Sequence, residues 1–184
     1  MDERIVEAST EADYLAFGDM VREYVGWLQQ RYVDVPGLID GVGAHQALDA
    51  ELEHLSEAYG PPEGKTLLAT RDGQVVGVVA YHDLHDGTCE MKRMYVPERF
   101  QGGGTGRRLC QAVIASATAD GYRLMRLDTG FRNTEAIAMY ETLGFRECAP
   151  YTTYPDHLAA YLRFMELELV DRGEDVGFSR STCT

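Results

Sequence analysis

The stretch that most limits how this chain can fold is Val96-Pro97-Glu98-Arg99-Phe100-Gln101-Gly102-Gly103-Gly104-Thr105-Gly106-Arg107-Arg108-Leu109. Pro97 has no N–H for a ladder and ends a strand. Leu109, Val113 and Ala117, with Cys110 and Ile114, then recur at the spacing of a helix face. A strand that passes through a glycine-rich loop into a helix is an α/β connection with a chemical bias. The first N–H groups of a helix are unpaired, and the helix dipole adds positive potential there. Glycines let that backbone lie close against an anion, so the loop suits a phosphate or pyrophosphate. Neither common nucleotide motif fits. No Gly-Lys-Ser or Gly-Lys-Thr occurs, and the sixth position counted from Gly102 is Arg107 and from Gly104 is Leu109, not glycine. The chain has 17 Lys and Arg against 30 Asp and Glu, a net charge of −13. Residues 92–108 nevertheless hold Lys92, Arg93, Arg99, Arg107 and Arg108 against Glu98 alone. That basic island points to an anionic ligand.

The rest of the pattern surrounds this connection. Residues 5–8 read as a strand. Thr10 or Asp13 caps a helix to about Tyr32, with Leu15, Val21, Val25 and Leu28 on its apolar face. Residues 33–43, with Pro36, Gly37, Gly41 and Gly43, read as a loop. A second helix is expected over 47–59, stopped by Gly60-Pro61-Pro62. Strands over 66–70 and 75–81 flank Asp72-Gly73, a strong hairpin signal. Asp86-Gly87 leads to a third meander strand over 88–96. A helix over 104–120, a strand over 123–128, a helix over 134–143 and closing strands over 148–152 and 161–169 follow. The fold class is α/β in the wide sense, an α+β mixed sheet with an antiparallel first half. One domain spans 1–170, and 171–184, without apolar pattern, is expected to be a flexible tail.

Composition sets the outer bounds. With 184 residues, 45% hydrophobic and 26% charged, the chain can bury one core. Its negative charge repels polyanions, which excludes nucleic acid as a bulk partner. Cys89, Cys110, Cys148 and Cys183 form no CxxC pair and read as reduced thiols. No apolar run is long enough for a membrane span, and the N-terminus lacks a leader pattern. The expectation is a cytoplasmic protein.

Two motifs in order carry a resemblance. The first is Gln101-x-x-Gly104-x-Gly106. The second is Asn133-x-x-Ala136-x-x-x-Tyr140-x-x-x-Gly144-Phe145, in which Asn133 suits a helix N-cap and Gly144 a left-handed residue after the helix. Together they resemble the GNAT (Gcn5-related N-acetyltransferase) superfamily over about residues 66–148. The resemblance implies a GNAT-like fold, in which an antiparallel N-terminal meander leads to central splayed strands flanked by helices. It implies an acetyl-CoA-dependent N-acetyltransferase that moves an acetyl group to a primary amine of a small molecule by direct attack in a ternary complex. A peptide or protein acceptor, or a CoA-binding module without turnover, stays open. By the same resemblance Met94 and Val96 offer backbone groups to pantetheine, residues Gln101, Gly102, Gly103, Gly104, Thr105, Gly106 and Arg107 hold pyrophosphate, and Asn133 lies near the cofactor. Dimers are common in the family, which leaves room for a homodimer.

The resemblance also assigns chemistry. Tyr140 matches the family's general acid; a phenol, with pKa about 10, stays protonated at neutral pH and can donate to a departing thiolate. A backbone N–H near Met94 is placed for the oxyanion. Glu90 is the candidate general base, or else pairs with Lys92 two residues on. Strand alternation would put Glu90, Lys92 and Met94 on one face and Cys89, Met91, Arg93 and Tyr95 on the other. His82 and His85 read as surface loop histidines; without a third ligand at a recognisable spacing, no metal is expected. Cys89 reads as sheet packing. Asp128 and Thr129 line the site or cap a turn. The acceptor pocket is expected from residues 32–43 and from Tyr151, Tyr154 and their neighbours, where aromatic and acidic groups suit an amine.

Overall fold

In a computed structural model, residues 3–169 are described. The expected 171–184 tail and Cys183 lie outside them. The seven strands among these residues form one sheet in the order β1-β2-β3-β4-β5-β7-β6. They are β1 (Glu3–Glu7), β2 (Gly64–Arg71), β3 (Gln74–His85), β4 (Thr88–Tyr95), β5 (Leu124–Gly130), β6 (Arg146–Glu147) and β7 (Leu162–Glu168). The β4–β5 pair is parallel and its neighbours in the sheet are antiparallel. Both Asp-Gly turns act as their chemistry requires. Asp72 and Gly73 have φ of 51° and 80°, and Asp86 and Gly87 have 55° and 76°, the positive values of a type I′ hairpin.

Helices cover both faces. On one side α5 (Thr105–Ala119) lays Leu109, Cys110, Val113 and Ala117 on Val79, Met91, Met125 and Leu127. There α6 (Thr134–Thr142) adds Tyr140. On the other side α1 (Glu11–Arg31) packs Phe17, Met20 and Val21 on Val78, Ala80 and Tyr95. Thr10 and Asp13 close a reciprocal capping box at its start, which satisfies two otherwise orphaned N–H groups. Leu15, expected on the apolar face, is 63% exposed. No helix among the described residues is long and apolar enough to cross a membrane.

Four local expectations are corrected. Residues 33–43 are not all loop: α2 spans Leu38–His45. Its glycines are there for close approach, since a Cβ on Gly41 would meet Leu158 at 3.3 Å and one on Gly43 would meet Leu48 at 3.4 Å. The single helix over 47–59 is two, α3 (Leu48–Glu53) and α4 (Leu55–Tyr59), broken at the non-helical His54. Residues 148–152 are not a strand. The edge strand is the two-residue β6, after which Tyr151 turns inward and the chain makes α7 (Asp156–Ala159). His82 and His85 are not on a loop but in the last four residues of β3.

Candidate active site

The site grows from two irregularities of β4. Its pairing with β5 stops at Glu90↔Arg126, so the two strands diverge beyond that point. Opposite, β3 pairs Ala80 with Lys92 and Val78 with Tyr95, so Val79 faces two residues, Arg93 and Met94. Arg93 takes φ of +56°. This bulge breaks the expected alternation, because an inserted residue reverses the faces after it. Glu90 and Lys92 keep a common face, but Arg93 and Tyr95 join it while Met94 moves to the Cys89 side. The bulge also leaves the backbone of Arg93 and Met94 without register partners on β3.

Through the gap runs a cleft of about 380 Å³. Met94, Val96, Gln101, Gly102, Gly104, Thr105, Gly106, Arg107, Asn133 and Tyr140 all line it; Gly103 stands outside the lining. Gly104, with φ of +78°, turns the chain into α5. The Gln101 amide donates to Val96 O at 2.8 Å and braces the loop. Thr105 turns its hydroxyl inward to Glu3 at 2.8 Å, so only its backbone serves the cleft. The basic island is mostly committed elsewhere. Arg93 pairs with Glu51, Arg99 with Glu23, Arg108 with Glu3, and Lys92 with Glu90 and Asp128. Of those five cations, Arg107 lacks a carboxylate partner among the described residues, and it lines the cleft.

Two buried groups face the same space. Asn133 donates Nδ2 to Thr129 Oγ1 at 3.2 Å, while its Oδ1 is buried without a partner. A buried acceptor left alone costs about 1–3 kcal/mol, so an N–H donor in the cleft would satisfy it. Tyr140 is 4% exposed and packs on Phe145. Burial pushes its phenol well above the ordinary value, with a smaller contribution from Cys110.

A second chamber, about 100 Å³, opens beside the first and shares Tyr24, Met94, Thr129 and Tyr140 with it. Tyr24 of α1, pushed up to about 12 by burial, was not singled out by any sequence motif. Nor was Gln46, which bridges the diverging strands. Its Oε1 accepts from Arg93 of β4 at 3.0 Å, and its Nε2 donates to Tyr154 Oη at 2.7 Å and to Asp128 of β5 at 3.3 Å. Glu90 does not meet Tyr140 in either cavity. It lines an outer groove of about 460 Å³ with His82, Tyr151 and Lys92. Burial raises its pKa, but His82 at 2.8 Å, Lys92 at 3.4 Å and the Tyr151 hydroxyl at 2.7 Å more than reverse this and hold it at about 2. Cys89 is fully buried in the core, where burial, and then Asp83, pushes its thiol up to about 12. Among the described residues no three His, Cys, Asp or Glu are arranged to hold a metal ion.

Comparison with known proteins agrees with this architecture. The sequence profile of the Acetyltransferase (GNAT) family matches residues 26–145. An uncharacterised N-acetyltransferase of Schizosaccharomyces pombe is 36% identical over 120 residues, 64% of this chain and 74% of the relative. The IAA acetyltransferase of Azospirillum brasilense is 36% identical over 117 residues, 61% of this chain and 76% of the relative. Among solved structures, the PaiA N-acetyltransferase of Thermoplasma acidophilum in complex with coenzyme A superposes with a TM-score of 0.66 at 18% identity, covering 91% of this chain and 99% of that one. The seven-stranded mixed sheet splayed at β4 and β5, the glycine loop at the start of α5 and the family match therefore lead to one conclusion: the chain belongs to the Acetyltransferase (GNAT) family and is an acyltransferase of the N-acetyltransferase type.

Proposed function

We propose that this protein moves the acetyl group of acetyl-CoA to the primary amine of a small molecule, by direct attack with both substrates bound. The observation that carries the reading is that Tyr140 stands in the wall shared by two cavities. One cavity starts at the glycine-lined N-terminus of α5, which suits a phosphate; the other is smaller and adjoins it. A group between them can serve both a thioester and an attacking amine.

The residues present fit coenzyme A. The orphaned Asn133 Oδ1 matches an amide N–H of pantetheine, and the splayed β4 backbone at Met94 and Val96 offers edge groups to the same arm. Gln101, Gly102, Gly104, Thr105 and Gly106, with the carboxylate-free Arg107, form the cradle for pyrophosphate. Bound there, the thioester would supply an activated acyl carbon and a thiol leaving group. The chain's own work is then threefold. The Met94 N–H at the bulge donates to the carbonyl oxygen as the amine nitrogen bonds to carbon and charge develops. Tyr140 gives its proton to sulfur as the C–S bond breaks, and recovers one from solvent. The proton lost by the amine leaves through the polar side of the acceptor chamber. Glu90, held near 2 by its donors, is a weak base; we assign it the anchoring of Lys92, and through Lys92 the placement of Asp128.

Thermal unfolding with acetyl-CoA, beside ATP and NAD, tests the assignment. Ligand at 100 times Kd adds about 2.7 kcal/mol of stability. A rise in Tm with acetyl-CoA alone is expected. An unchanged Tm at saturating acetyl-CoA removes the glycine loop from cofactor binding.

A further inference from the structure

The acceptor chamber is specific enough to name a substrate class. Its walls are Leu28, Leu38, Ile39, Val42, Leu127 and Leu162, with tyrosine rings between them. Three of the six come from α2, which forms one wall of the chamber. At about 100 Å³ it is well below the roughly 300 Å³ at which pockets for drug-sized ligands begin. An extended peptide does not fit such a space.

Gln46, Lys92, Arg93, Asp128 and Thr129 supply polar groups to the same lining. Asp128 has a side chain 8% exposed. Its Oδ2 takes the two shorter hydrogen bonds, from Tyr154 Oη at 2.6 Å and Gln46 Nε2 at 3.3 Å. Its Oδ1 has Lys92 Nζ at 3.5 Å and, among the described residues, no closer donor. An ionised carboxylate oxygen accepts more than one hydrogen bond, so Oδ1 retains capacity for a further donor, and Asp128 lines the chamber. The cations nearby are engaged. Arg93 grips Glu51 with Nε and Nη2, each at 2.7 Å, and Gln46 with Nη1 at 3.0 Å; Lys92 lies between Glu90 and Asp128. A substrate carboxylate would have to compete with those partners for the same cations.

Resting on the acetyltransferase reading above, we propose that the acceptors are short primary amines with an uncharged apolar body, alkyl or single-ring, whose ammonium group is received by Asp128 Oδ1 and loses one proton to solvent on that side before the neutral nitrogen attacks; the second proton leaves after the C–N bond forms. Specificity then lies in the apolar walls, and binding of the charged end lies in Asp128.

The test is CoA-thiol release with the full-length protein on n-alkylamines of increasing length, a benzylamine, free amino acids and a short lysyl peptide. Acetyl-CoA affinity is measured separately by calorimetry. The expected kcat/KM rises about fourfold per added methylene, the equivalent of about 0.8 kcal/mol, until the chamber is full, and falls beyond that length. Asp128→Asn should raise the amine KM at least tenfold while the acetyl-CoA Kd stays within twofold. Val42→Phe, which needs no change at the buried charges, should move the optimum to a shorter amine. Turnover of an amino acid or of the peptide in preference to every alkylamine overturns the proposal, as does an unchanged amine KM in Asp128→Asn or an unchanged length optimum in Val42→Phe. Absence of acetyl-CoA binding would instead refute the acetyltransferase reading, and the acceptor class with it.

Discussion

In the proposed reaction the proton donor is one hydroxyl, that of Tyr140. Tyr140 is held protonated by burial, so it can donate across the whole neutral range and should contribute no alkaline loss of activity below pH 10. Tyr140→Phe is expected to lower kcat about 10²-fold with acetyl-CoA affinity intact, because the ring still fills its place on Phe145. Steady-state kinetics beside calorimetry checks this, and an unchanged kcat would take Tyr140 out of the reaction. Tyr140, Asn133 and the loop residues were legible because each sits inside a local motif. Tyr24 and Gln46 come from segments whose own periodicity says nothing of where they meet, and they join the site only where β4 and β5 part. Tyr151 and Tyr154, expected in the acceptor pocket, line the outer groove with Glu90 instead. The basic island misled in an instructive way. Charge counted along the sequence is unpaired there, but in space Glu3, Glu23 and Glu51 arrive from elements far away in the chain.

At the scale of elements, legibility followed from how local the forming forces are. The meander and α5 were readable because their turns and apolar faces are set by neighbours in sequence. α2 was not, since Gly41 and Gly43 signal a loop until Leu158 and Leu48 are seen to need the room. The bulge at Arg93 was also invisible: alternation predicts a regular strand, and the Glu51 that pairs with Arg93 at the bulge is 42 residues away in sequence. The start of α5 carries the prediction for this scale. Gly104 is at φ +78° and exposed. A β-branched residue there costs about 1–2 kcal/mol of backbone strain and puts a side chain over the N–H groups that would meet phosphate. Gly104→Val is therefore expected to weaken acetyl-CoA binding at least tenfold, while the variant still unfolds in one transition. Wild-type affinity would show that the cradle lies elsewhere.

For the whole molecule, the net charge of −13 hides a few buried ion pairs that hold the two halves of the site together. Glu3 ties β1 to β2 and α5 through Arg71, Thr105 and Arg108, and Glu90 ties β4 to His82 of β3 and Tyr151 of the closing segment. Burial would raise both carboxyls, but these donors bring each from 4.5 to about 2. A group whose pKa is lower folded than unfolded adds stability above its unfolded value, and that contribution is lost as pH falls toward the folded value. The window here runs from about 4.5 down to about 2. For the buried Glu90, a shift of that size is worth on the order of 3 kcal/mol at neutral pH, at about 1.36 kcal/mol per unit. Glu90→Gln should therefore lower unfolding stability by a few kcal/mol at pH 7, and urea titrations at successive pH values should show the gap from wild type closing as pH falls from 4.5 to 2. A gap that stays constant across that range would mean that Gln costs only shape and hydrogen bonding, and that Glu90 is not the charge on which this side of the site depends.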